Sequence, residues 1–174
     1  MTPDLQAGVN DLAAATMDDY AANLAAAIPG QVVPFLCGWS MGGPVALMVA
    51  SRQPVAGVVL IEASLPAEIA AHRDESLRDG IIDTEAVYGP RDDGQTSRPE
   101  SLRAGIERVR GIDIGSLRCP ALVIGGRDFT DERARPVAAH LAGDLLEFQD
   151  LLHVAFLHDE RVTTAVHGWL ERHR

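Results

Sequence analysis

The chain has 174 residues, 47% of them hydrophobic and 23% charged, which suits one globular domain with a genuine core, spanning residues 1–174, and excludes extended disorder. Its formal net charge is −10 and all fifteen basic residues are arginines, so a nucleic-acid partner, Schiff-base lysine chemistry and a P-loop are excluded. No apolar run reaches membrane-spanning length and "MTPDLQAGVND" lacks the parts of a signal peptide, so no membrane partner and a cytoplasmic location are expected.

In chain order, residues 16–28 predict a helix: Thr16 caps it, acids occupy its first turn, alanines fill it, and Pro29 and Gly30 end it. "QVVPFLC" follows as a buried strand, with Pro34 marking a position that has no ladder partner for its nitrogen. "GGPVALMVASRQ" is the next helix, with Pro44 tolerated in its first turn. "VAGVVLIEA" (55–63) and "PALVIGG" (120–126) are apolar throughout, as strands covered on both faces are, and "DLLEFQ" (144–149) is a fourth strand. Further helices are expected near 99–110, 131–142 and 159–172, the last capped by Asp159. Strands alternating with helices imply an α/β fold with a mostly parallel sheet of about four to five strands. Between residues 65 and 116 the pattern loosens around "YGPRDDGQTSRP", which predicts a small helical insertion beside the sheet. Cys37 and Cys119 flank apolar runs and are expected as buried free thiols. With no HExxH and no CxxC, no metal or cofactor is implied.

Ser40, in Gly38-Trp39-Ser40-Met41-Gly42, stands between a strand and a helix, at the carboxyl end where open α/β sheets gather ligands. A serine held at a sharp bend leaves no room for side chains two residues away, which gives Gly38 and Gly42 a mechanical purpose. The helix starting behind it aims its amides, Met41 N–H first, at charge developing on an attacked carbonyl. A serine hydroxyl needs a base, and the base needs an orienting carboxylate.

This arrangement resembles the nucleophile elbow of the α/β-hydrolases, G-x-S-x-G between strand and helix. The resemblance covers nearly the whole chain. "GWSMGG" with "HVAFLHDE" looks most like the carboxylesterase branch that includes the pimeloyl-carrier-protein methyl esterase of biotin synthesis. It implies Asp128, just past the strand "ALVIGG", as the orienting acid, with Glu62 in "LIEAS" as the alternative. His153, between the last strand and the last helix, is the implied base; His158 competes but directly precedes the cap Asp159. Trp39 either lines the acyl side of the pocket or fills the core. The insertion at 65–116 would act as a lid.

The chain departs from the family at two places. About thirty residues precede the elbow strand, so the fold is expected to be an N-terminally truncated α/β-hydrolase fold without the H-G loop that donates a second oxyanion amide. Losing that donor lowers turnover by about 10²–10³-fold in hydrolases of this kind. The elbow strand is then an exposed apolar edge, expected to be covered by a second copy in a homodimer or by the N-terminal segment. The glycine usual before the base is replaced by Asp150, Leu151 and Leu152. The leading expectation is a serine hydrolase of a small carboxylic ester or thioester. The alternatives are a binding or assembly module on a truncated hydrolase fold, and a lyase or cofactor-free peroxidase built on the same scaffold.

Overall fold

A computed structural model describes residues 16–63, 65, 114, 116–126 and 130–174. The elements are α1 (Met17–Ala27), β1 (Phe35–Trp39), α2 (Gly42–Arg52), β2 (Gly57–Ile61), β3 (Ala121–Gly126), α3 (Thr130–Leu141), β4 (Asp144–Phe148), a 3-10 turn (Ala155–Leu157) and α4 (Glu160–Arg172). The helix expected near 99–110 and nearly all of the lid-like insertion at 65–116 lie outside the described residues.

The four strands pair in chain order, β1-β2-β3-β4, and every pairing is parallel. Every residue of β2 and β3 is buried, as expected of central strands with helices on both faces. Alternate residues point to opposite sides. Leu36, Val58, Leu60, Ala121 and Val123 face a layer drawn from α1, α2 and α3, where Tyr20, Val45, Met48 and Val137 are buried. Val59, Ile61, Leu122 and Ile124 face the other way, against Leu151, Phe156 and the Val162 and Trp169 of α4. The Trp169 indole N–H donates to Asp144 Oδ2 at 2.8 Å, which ties α4 to the start of β4.

Local signals set most of the boundaries. Thr16 and Asp19 form a reciprocal capping box at the start of α1, and the Asp159 side chain accepts from Arg161 N at the start of α4. The elbow strand begins later than expected: "QVVP" lies outside the ladder and the strand opens at Phe35. Pro34 has no N–H to donate, although its carbonyl accepts from Ala56 N at 2.8 Å. Val32 and Val33 are consequently exposed.

Among the described residues β1 is the sheet edge next to β2, and both cysteines are free. Cys37, expected to be buried, is exposed on this edge strand, and Cys119 is half-buried. Of the two covers expected for the edge, residues 1–15 lie outside the described residues. No helix among the described residues is long and apolar enough to cross a membrane.

Candidate active site

Parallel strands put the carboxyl ends of β1, β2, β3 and β4 along one edge of the sheet. Ser40, Glu62, Gly126 and the loop carrying His153 come from those four ends respectively.

Ser40 follows β1 directly and is half-buried, with φ 51°, in the left-handed region that side chains disfavour by about 1–2 kcal/mol. Two backbone bonds hold it there: Ser40 N donates to Ile61 O at 2.9 Å, and Gly43 N donates to Ser40 O at 3.0 Å. The bend leaves no space beside Gly38, where a Cβ would run into the carbonyl of Gly42. The matching expectation for Gly42 is corrected. A Cβ there would meet open space, and the crowded residue of this pair is Gly43, packed against Ala63. Gly42 contributes its main chain to the crowding rather than needing clearance itself. Gly38→Ala is therefore expected to cost about 3 kcal/mol or more, because backbone cannot yield as a flexible side chain can. Gly42→Ala is expected to stay within about 1 kcal/mol of the parent protein. Urea unfolding of the two variants side by side checks the contrast.

Glu62 follows β2 and also has positive φ, 50°. It is buried, at 3% exposure, and its amide donates to Ile124 O at 2.8 Å, continuing the ladder one residue past β2. A buried carboxylate needs partners. Gly126 N at the end of β3 donates to Oε1, and Oε2 lies 3.3 Å from His153 Nδ1.

His153 is fully buried, at 0% exposure. Its loop is pinned by residues on either side: Leu151 and Phe156 are buried in the core while Leu152 and Val154 between them are exposed. Phe156 packs edge-to-face on Phe148 of β4 with centroids 6.1 Å apart. The glycine missing from this loop is supplied by β3. A Cβ on Gly126 would strike the Phe156 ring and come within 2.9 Å of Leu151 O, so a residue without a side chain is what lets the loop close onto the sheet.

Trp39 joins the two halves. Its indole N–H donates to the His153 carbonyl at 3.0 Å, and its ring lies 4.7 Å from the imidazole centroid at 31°.

Of the residues expected from the sequence, Ser40, Trp39, Met41 and His153 thus fall at one end of the sheet. Asp128 lies outside the described residues. The carboxylate seen facing His153 is the alternative, Glu62. His158 is exposed and closes the 3-10 turn ahead of α4, as its position before Asp159 suggested. Gly126 was missed as a site residue; the glycine pair ending "ALVIGG" was the available signal.

No family model and no curated protein matches the chain. Solved structures do align with it. A lipase-esterase related protein from Clostridium acetobutylicum is 18% identical, covers 91% of this chain and 76% of its own, and has a TM-score of 0.60. The RedJ thioesterase of prodiginine biosynthesis in Streptomyces coelicolor is 20% identical over 91% of this chain and 72% of its own, with a TM-score of 0.58. A Desulfitobacterium hafniense protein assigned to the alpha/beta hydrolase family is 18% identical over 89% and 77%, with a TM-score of 0.60. At these identities the likeness is one of fold, and the chain has the α/β-hydrolase fold.

Proposed function

We propose that the chain is a serine hydrolase of carboxylic esters or thioesters, with Ser40 as nucleophile, His153 as base and Glu62 as the acid that orients it. The observation that carries the reading is the buried Glu62–His153 pair, packed against the ring of the residue that immediately precedes a serine in the left-handed region. A core histidine with no task has no need of a buried carboxylate on one ring nitrogen and an indole on its face.

In the reaction, Ser40 Oγ attacks the carbonyl carbon while its proton passes to His153 Nε2. Negative charge moves to the carbonyl oxygen, where Met41 N–H and the amino end of α2 stabilise it. The tetrahedral adduct collapses to an acyl-serine, and the imidazolium returns the proton to the departing alcohol or thiol. Water, deprotonated by the same imidazole, then attacks the acyl-serine and releases the acid and free Ser40. Throughout, Glu62 holds Nδ1 protonated and supports the positive charge on the ring. Structural neighbours named as a thioesterase, a thioesterase domain and an aldehyde esterase agree with this chemistry.

An activity-based fluorophosphonate probe is expected to label the protein once, at Ser40, and His153→Gln is expected to slow labelling by about 10³-fold or more. Intact-protein and peptide mass spectrometry read both results. An unlabelled wild-type protein beside a fully labelled control esterase would favour the assembly-module reading instead.

A further inference from the structure

We propose that Trp39 is a positioning residue that fixes the base relative to the nucleophile, rather than a wall of the acyl pocket. The inference rests on the assignment of Ser40 and His153 made above. Trp39 is the last residue of β1 and is bonded directly to Ser40, so its backbone moves with the elbow. Its side chain reaches a loop 114 residues away in sequence and holds it at two points, the His153 carbonyl through the indole N–H and the imidazole face through the ring.

The two contacts constrain different motions. The 3.0 Å bond to the carbonyl fixes where the His153 main chain stands, at a residue whose immediate neighbours Leu152 and Val154 turn their side chains outward. The tilted indole ring, 4.7 Å away at 31°, blocks the imidazole from swinging off the line set by Glu62 on Nδ1. Glu62 restrains the edge of the imidazole and Trp39 restrains its face. With Leu151 and Phe156 seating the loop and Glu62 the ring edge, Trp39 is the restraint that ties His153 directly to the residue adjoining the nucleophile, and reactions of this kind lose about 10²-fold when a reacting group is misplaced by an ångström.

Trp39→Phe keeps an aromatic face and removes the N–H; Trp39→Leu removes both. For p-nitrophenyl esters from acetate to octanoate, kcat is expected to fall about tenfold in the first and about 100-fold in the second, with KM changed less than about threefold at every chain length. The imidazole C–H resonances of His153, assigned by their loss in His153→Gln, are expected to move downfield in Trp39→Leu as ring-current shielding disappears, and much less in Trp39→Phe. A rise in KM that grows with acyl length while kcat holds would make Trp39 a pocket wall and overturn the proposal. So would unchanged His153 resonances in Trp39→Leu. If the wild-type protein neither hydrolyses esters nor labels at Ser40, the hydrolase reading is what has failed, and the resonance shift by itself decides whether Trp39 holds His153.

Discussion

Replacing Ser40 by alanine is expected to lower ester turnover by about 10⁴–10⁶-fold and to abolish the fluorophosphonate adduct, while leaving the unfolding midpoint almost unchanged. The asymmetry follows from what Ser40 does in the fold. Its main chain is bonded to Ile61 and Gly43, so the elbow is held by backbone bonds that alanine keeps. A second substitution sharpens the test. At φ 51° a side chain is strained, and glycine removes the strain at the cost of a freer unfolded chain. Ser40→Gly is therefore expected to be inactive and as stable as the parent or up to about 1 kcal/mol more so, measured by urea unfolding. Strain kept at a residue whose removal stabilises the protein is what a nucleophile held for reaction predicts. An ordinary turn serine predicts instead that neither variant alters turnover.

The second large effect is expected at Glu62, where catalysis and stability separate according to the substitution. Glu62→Gln keeps an oxygen for Gly126 N–H and loses the charge beside His153, so kcat is expected to fall about 10³–10⁴-fold with little loss of stability. Glu62→Ala leaves the buried Gly126 amide and the His153 ring without this partner and is expected to cost about 3–5 kcal/mol, a large share of the stability of a domain this size. Asp128→Asn is the companion measurement, with an expected fall in kcat below about tenfold. The reverse pattern, a crippled Asp128→Asn and an active Glu62→Gln, would hand the orienting role to Asp128. Steady-state kinetics and urea unfolding on the three variants distinguish the outcomes.

How much of this could be read in the linear chain differs from element to element. "VAGVVLIEA" and "PALVIGG" announced central strands because burial on both faces demands unbroken apolar residues, and the strands within them, Gly57–Ile61 and Ala121–Gly126, are buried throughout. Thr16 and Asp159 marked helix starts because capping is chemistry within a few residues of the cap. Ser40 was legible for a similar reason: the strand, the bend and the helix that define its role are all local. The start of β1 was misplaced because an apolar run does not show where pairing begins, and Pro34 decided it.

What the chain alone decided, then, is an alternation of strands and helices, a strained serine between two of them, and a histidine before the last helix. Those features depend on residues a few positions apart. Which acid meets that histidine was a different matter. Glu62 and Asp128 each follow an apolar strand, and nothing near either one distinguishes them. Glu62 was brought to His153 by the parallel pairing of β2 with β3 and by the packing of Leu151 and Phe156 against the sheet. The shift of steric demand from Gly42 to Gly43, the glycine supplied from β3 instead of from the His153 loop, and the hold of Trp39 on a carbonyl 114 residues away have the same origin. Each depends on distances between segments remote in sequence, which the folded packing alone sets.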